Sequence, residues 1–302
     1  MRQVAVVTTG FFDGVHLGHR HVLETVVSCA RERGQEAIVV TFWPHPRTVL
    51  QQDAREFRLL TSLEEKKVLL LDSGVDRVEV LPFTRDFAAL TATDYLSLLR
   101  ERFGASLVVM GYDNRIGCDR KTAQELDACA NGAGFTHGEG FSLLRCAKEP
   151  VFAHGGEVPV SSTRIRRALE AGEMGLANEM LGYSYGLYGV VVAGNRLGRT
   201  IGFPTANMHL YEPLKLVPAN GVYAVDVEVL GRKYRGMTNI GVRPTVGGQV
   251  RTIETHILDF DEDIYGLPLQ LRFLRRIRDE RKFPSLEELR QQLEQDRLAC
   301  LE

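Results

Sequence analysis

The chain has no surplus of either charge. Its 37 Lys and Arg stand against 39 Asp and Glu over 302 residues, a formal net charge of −2. A dedicated nucleic-acid or membrane-surface binder carries a basic face, so both classes are set aside. Cysteine is scarce as well. Cys29, Cys118, Cys129, Cys146 and Cys300 are scattered, odd in number and never form a CxxC pair. That pattern excludes a disulfide framework or a zinc site and points to reduced cytosolic thiols. No apolar run approaches the ~20 residues that span a bilayer. The N-terminus runs directly into VAVVTTG, without the basic flank and apolar core of a signal peptide. Internal repeats and low-complexity tracts are missing, and so is any GxxxxGKS or GxxxxGKT, which disfavours a P-loop kinase. What remains is a cytoplasmic, soluble protein long enough for two domains.

The two halves have different periodicities. In the first, short apolar runs alternate with helical patterns. Val4–Thr9, Ala37–Phe42, Arg77–Leu81 and Leu107–Gly111 read as strands. Between them come a helix over about 18–33 closed by Gly34, a helix opened by the Ser62/Glu65 capping box, and one over 93–103 ending at Gly104. Strand–helix alternation implies a doubly wound parallel α/β sheet. After about Leu181 the strands come without intervening helices: Val190–Ala193, Val222–Leu230, Tyr234–Asn239, Thr252–Leu258 and Leu269–Phe273. Val225, Val227 and Val229 alternate with Asp226 and Glu228, and Gly231 stands where a hairpin turns. A small antiparallel barrel is expected, followed by a terminal amphipathic helix using Leu286, Leu289 and Leu293. The expected domains are 1–182 and 183–302.

Three segments carry chemistry. GNRLGRTIGFPTAN (194–207) spaces Gly194, Gly198 and Gly202 around Arg196 and Arg199, then supplies the oxygens of Thr205 and Asn207. Glycines admit phosphate close to the backbone, arginines neutralise it, and hydroxyl and carboxamide oxygens suit magnesium. GFFDGVHLGH (10–19) joins the first strand to the first helix. Gly10, Gly14 and Gly18 there permit tight turning, and His16 and His19 fall three apart; they are either phosphate contacts or a pair of metal ligands or solvated histidines. VSSTRIRRAL (160–169) places Ser161, Ser162 and Thr163 at a helix start and Arg164 in its first turn. It is either an ordinary N-cap with a basic face or an anion site, since an arginine there opposes the helix dipole unless an anion is bound.

Together these residues resemble a known family. HLGH with SSTRIR resembles the nucleotidyltransferase superfamily. Their combination with IGFPTAN (201–207) is similar, more narrowly, to the bifunctional prokaryotic riboflavin kinase/FMN adenylyltransferases. The likeness runs through TFWPHP (41–46), RLLTSLEEK (58–66), GYDNRIG (111–117), NGVYAV (220–225), TNIGVRPT (238–245), ETHILDF (254–260) and IYG (264–266). Two positions depart from the family pattern: Phe11, where asparagine is common, and Ile116, where a phenylalanine is common.

The resemblance implies two ATP-dependent reactions. In the C-terminal domain Thr205 and Asn207 hold magnesium against ATP, and Glu254 accepts the proton of a ribityl hydroxyl. In the N-terminal domain FMN attacks the α-phosphorus of ATP without needing a base. His16 and His19 are then donors to phosphate, and Ser162, Thr163 and Arg164 hold the departing pyrophosphate. Asp13 and Asp113 become polar contacts to substrate or magnesium, Asp113 on the flavin side. Trp43 reads as packing. The run 275–282 reads as a solvated face, with Arg278 the candidate for flavin phosphate. Substrates are riboflavin, FMN and ATP. Two other readings stand beside this one: a kinase whose adenylyltransferase half is impaired, motivated by Phe11 and Ile116, and a flavin or nucleotide sensor without turnover.

Overall fold

Ala5–Thr9, buried at every position, is strand β1 and the middle of a sheet. The computed structural model describes residues 4–50, 57–111, 114–122, 125–126, 142–146, 152–153, 158–194, 197–245 and 248–301. Contacts divide it into Met1–Val151 and Phe152–Glu302. In the first unit β2 (Glu36–Trp43), β3 (Arg77–Pro82), β4 (Ala105–Met110) and β5 (Ser142–Arg145) join β1 in the order β3-β2-β1-β4-β5. Every neighbouring pair is parallel.

The side-chain period of two assigns each strand residue a face. Ala5, Val7, Ile38, Val40, Val108 and Met110 pack with Tyr95, Leu96 and Leu99 of one helix. Val6, Ala37, Val39, Leu107 and Val109 pack on the opposite face with Leu23, Val26, Ala30 and Leu70. The helices are α1 (Leu17–Arg33), α2 (Pro46–Leu50), α3 (Leu63–Asp72), α4 (Arg85–Ala88) and α5 (Ala92–Phe103). Their ends follow the expected caps. Gly34 and Gly104 close α1 and α5 in the left-handed conformation, and Ser62 and Glu65 form a reciprocal capping box on α3. The strand order reverses at β1, so the crevice beyond the carboxyl ends of β1 and β4 is where such a sheet binds ligands.

The second unit opens with the antiparallel pair β6 (Phe152–Ala153) and β7 (Val158–Pro159), then α6 (Ser162–Ala171) and α7 (Met174–Leu181). A closed antiparallel barrel follows: β8 (Gly186–Val192), β9 (Ala206–Leu210), β10 (Gly221–Val229), β11 (Arg232–Thr245), β12 (Gly248–Ile257) and β13 (Pro268–Arg278), ordered β10-β11-β12-β9-β8-β13. A short α8 (Leu197–Thr200) lies between β8 and β9, and α9 (Leu286–Leu301) ends the chain. Leu230 and Gly231, both at positive φ, turn β10 into β11.

The helix pair α6–α7 packs with the barrel. Asn178 donates to Phe273 O at 2.8 Å and accepts from Tyr185 N at 2.8 Å, and Ala219 N donates to Leu169 O at 2.9 Å. The Arg276 side chain crosses Gly172, the residue capping the carbonyl end of α6, where a cation suits the helix dipole. The first half of the basic run is the end of strand β13, with Arg275 exposed and Arg276, Ile277 and Arg278 half-buried, while 279–282 are exposed. In α9 the leucine stripe is buried only in part: Leu289 and Leu293 are half-buried, and Leu293 packs against the core cluster of Phe203, Val222 and Met237. Leu286 is 55% exposed, while Asp296 and Cys300 are the buried positions. Asp296 accepts from Arg278 of β13 at 2.7 Å, so an ion pair sets where this helix sits. Among the described residues no helix is long and apolar enough to cross a membrane. Cys29, Cys118, Cys146 and Cys300 are free, and Cys129 lies outside the described residues.

Candidate active sites

The first site is the segment between β1 and α1. Its backbone turns through positive φ at Phe12 (52°), Gly14 (83°) and Val15 (35°). For a β-branched residue such as Val15 that conformation is strained, and strain of this kind concentrates at functional sites. Buried hydrogen bonds hold the turn. Asp13 is 4% exposed; its Oδ1 accepts from the amides of Leu60 and Thr61 at 3.0 and 3.1 Å and from the Thr61 hydroxyl at 3.3 Å. Gly14 N donates to that same hydroxyl at 3.1 Å. Asp13 therefore anchors the loop to the start of α3.

His16 is the N-cap of α1, its Nδ1 accepting from His19 N at 3.3 Å. The two imidazoles stack with centroids 3.7 Å apart and planes 14° from parallel, and Phe12 meets His19 edge-on at 5.3 Å. A Cβ on Gly18 would come within 3.3 Å of the His16 ring. Burial, then the charges at His16 and Lys66, hold His19 well below the usual histidine range, so it is a neutral imidazole near pH 7. Its Nδ1 is buried with no hydrogen-bond partner. A buried polar atom of that kind calls for a ligand or water.

Beside this loop a cavity of about 460 Å³ opens at the carboxyl end of the sheet, next to Thr9 and Gly10. One wall is aromatic, made by Phe42, Phe83, Phe87 and Tyr95. The Phe87 ring lies 5.4 to 5.7 Å from the other three. Polar groups mark the rim. Tyr95 OH and Thr9 Oγ1 are 2.5 Å apart, and Asn114 Nδ2 donates to Thr9 O at 3.0 Å. Burial pushes the Tyr95 hydroxyl far above its usual range and keeps it neutral. An apolar wall with a few fixed polar groups suits a flat, mostly apolar ring with polar edges. Ile116 is 4% exposed and packs with the core, lining this cavity. Asp113 lies outside the described residues. Ser162, Thr163 and Arg164 open α6 in the second unit; the cap itself is Ser161, whose Oγ accepts from Arg164 N at 3.3 Å.

The second site lies on the barrel. Asn207 of β9 and Glu254 of β12 are direct cross-strand partners, and Asn239 of β11 is the partner of Glu254 on its other side. Cross-strand partners share a face, so two carboxamides flank one carboxylate. Thr255, the next residue, faces the interior, fully buried and 2.8 Å from the Thr238 hydroxyl. Thr252 Oγ1 donates to Glu254 at 3.2 Å. His256 Nδ1 lies 2.8 Å from Pro204 O, and its ring meets Phe203 edge-on at 5.1 Å, pinning the Phe203-Pro204 corner beside this row. Asn239 was missed by sequence reasoning; only its place in TNIGVRPT marked it.

The glycines of 194–207 each have an internal reason. A Cβ at Gly194 would stand 2.2 Å from Asn207 Nδ2, and one at Gly198 would stand 2.1 Å from Phe203 O. Gly202 takes φ 82°. The loop thus folds onto Asn207 and presents Thr205. A cavity of about 420 Å³ is lined by Arg199, Pro204 and Thr205 together with Asp261, Glu262 and Asp263. Arg196 lies outside the described residues. Among the described residues no group of three or more His, Cys, Asp or Glu is placed to hold a metal ion. The half-buried oxygens of Thr205 and Asn207 fit a hard divalent cation that also binds phosphate. Arg278 is committed elsewhere: Nε and both terminal nitrogens donate to Asp296 or to Asp279 O at 2.7 to 3.0 Å.

A parallel-sheet unit with a histidine-bearing turn at the carboxyl end of its sheet, followed by a barrel bearing a carboxylate between two amides, points to a two-part nucleotide-dependent transferase. A sequence model of the riboflavin kinase family matches residues 181–302, and one of FAD synthetase matches 1–140. The chain is 40% identical over 299 residues to the bifunctional riboflavin kinase/FMN adenylyltransferase of Escherichia coli K12, covering 98% of this chain and 92% of that one. It is 37% identical to the Bacillus subtilis enzyme of the same name, over 97% and 90%. A crystal structure from Streptococcus pneumoniae, named a macrolide-efflux protein, superposes with a TM-score of 0.89 at 34% identity over 99% of this chain and 94% of that one. The chain belongs to the bifunctional riboflavin kinase/FMN adenylyltransferase family.

Proposed function

We propose that the barrel phosphorylates riboflavin to FMN and that the parallel-sheet unit adenylylates FMN to FAD, with ATP the donor in both steps. The assignment by sequence is 1–182 for adenylylation and 183–302 for phosphorylation. The observation that carries the kinase half is the register of Asn207 against Glu254 beneath the loop presenting Thr205. A primary alcohol attacking phosphorus must lose its proton, and the place of the Glu254 carboxylate between Asn207 and Asn239 supports reading it as the acceptor. Thr205 and Asn207 would hold magnesium, which lowers the repulsion between the phosphates and the attacking oxygen. Arg199, beside Thr205 at the cavity, supplies further positive charge for phosphate.

Adenylylation asks less of proton chemistry. The FMN phosphate is already an anion, so the site needs alignment and stabilisation of the charge that develops on ATP. His16 and His19, stacked at the first turn of α1, supply donors together with the amides of that turn. The cavity walled by Phe42, Phe83, Phe87 and Tyr95 receives the flavin ring, with Asn114 and Thr9 at its polar edge. Ser162, Thr163 and Arg164 take their pyrophosphate role from the family resemblance. The protein works on small molecules in the cytoplasm.

Incubation with riboflavin, ATP and magnesium, followed by separation of the flavins, tests the reading. FMN appears first and FAD follows. FMN accumulating without FAD sinks the adenylyltransferase half, and no FMN at all sinks the kinase half.

A further inference from the structure

Lys66 belongs to neither reaction as described, yet it is fully buried. Removing an ammonium from water costs several kcal/mol unless something local makes use of its charge. Its Nζ donates to Phe11 O at 3.1 Å and to Phe42 O at 3.4 Å. Phe11 follows β1 and Phe42 belongs to β2, so one side chain from α3 ties together the carboxyl ends of two central strands. The same nitrogen stands 3.7 Å from the centroid of the Phe11 ring and 5.8 Å from that of Trp43. The Phe11 ring in turn packs edge-on against His45 at 3.9 Å. These contacts lie under the turn that carries Asp13, His16 and His19; the Asp13 carboxylate favours the Lys66 ammonium, and the Lys66 charge acts on His19. They also give a local account of Phe11. The position acts through its carbonyl and its ring face, neither of which needs an asparagine amide.

We propose that Lys66 is a positioning residue of the adenylylation site, fixing the 10–19 turn through the Phe11 carbonyl and placing a positive charge beneath the ATP phosphates. The proposal rests on the assignment of adenylylation to that turn. A structural filler would be replaced by methionine, which has similar length and no charge; a positioning cation would not.

The test uses the full chain carrying Lys66→Met and Lys66→Arg, with riboflavin phosphorylation read in the same samples as a control for the barrel. Adenylylation should fall by about 100-fold in Lys66→Met, as for loss of one preorganised charged group at a developing anion. Most of the loss should appear in kcat, with phosphorylation unchanged. Lys66→Arg should recover at least a tenth of the wild-type rate. Should Lys66→Met unfold the first unit, recovery in Lys66→Arg still supports the proposal. Adenylylation by Lys66→Met within threefold of wild type overturns it, and so does Lys66→Arg as inactive as Lys66→Met. His19→Ala separates this from failure of the site itself. If His19→Ala adenylylates normally, the site assignment falls. If His19→Ala is inactive and Lys66→Met is not, only the role of Lys66 falls.

Discussion

His16 and His19 stand on a turn bent through positive φ at Phe12, Gly14 and Val15, whereas Asn207, Glu254 and Asn239 stand in register on three neighbouring strands. The first arrangement must be held from below, and the means are buried polar groups: Asp13 on the amides of residues 60 and 61, and Lys66 on two carbonyls. The second needs little help. Strand pairing places the three side chains side by side, and only the covering loop has to be fitted, through Gly194 and the His256 contact to Pro204. A site on a turn gains backbone amides for phosphate and depends on a buried electrostatic frame. A site on strands gains rigidity and depends on register.

The comparison is broken most directly at Glu254. Glu254→Gln keeps the strand and removes the proposed proton acceptor, so phosphorylation should fall by about 10³-fold, within the range of general-base removal. Adenylylation of added FMN should continue at the wild-type rate. Loss of both activities in a well-folded variant would falsify the division between units. His19→Ala is the converse and smaller change: adenylylation should fall by about 100-fold, with FMN formation untouched. A third change tests how the barrel is secured. Asp296→Ala leaves Arg278 without its partner at a site where the carboxylate is 1% exposed. Breaking such a pair costs about 3 kcal/mol, whereas Leu286→Ala, at an exposed position, should alter thermal unfolding by less than about 0.5 kcal/mol. Equal destabilisation by the two would show that the exposed leucine at the start of α9 secures the helix as much as the ion pair does.

Periodicity made most of the fold legible. Apolar runs buried on both faces gave the parallel strands, alternation in 225–229 gave β10, and glycines at 34, 104 and 231 gave the caps and the hairpin. Strand β9 was not legible, because five residues after a Phe-Pro corner carry too little pattern, and Asn207 was therefore read as part of a loop. Gly194 and Gly198 also make room for Asn207 and for the Phe203 carbonyl. Those are close approaches between residues distant in sequence, which no local pattern encodes. Arg278 and Asp296 escaped for the same reason. In the sequence Arg278 is a candidate for flavin phosphate and nothing singles out Asp296; only the packing of α9 on β13 brings them together. Lys66 lay inside a quoted motif, yet nothing in EEK distinguishes a buried lysine from its exposed neighbours.

The difference in frame between the two sites also predicts a difference in pH response. Burial lowers the Lys66 ammonium to about 8, with Asp13 acting in the opposite sense. If the cation is required, adenylylation should decline as pH rises through that value, because deprotonation removes the charge and weakens the tie to Phe11 and Phe42. Above it, the protonated fraction, and with it kcat/KM, should fall about tenfold per pH unit, since kcat/KM reports ionisation of the free enzyme. Stability moves the other way. The unfolded chain holds its lysine proton to about 10.4, so between about 8 and 10.4 it binds more protons than the folded chain, and the burial penalty is released as pH rises. A loss of adenylylation over that window therefore cannot be ascribed to a Lys66-driven unfolding. Thermal melting across the window checks the second statement, and Lys66→Arg, which stays charged throughout, should lack the limb in kcat/KM. A limb of equal size in both proteins would assign it to another group, and the turn-borne site would then need no buried cation.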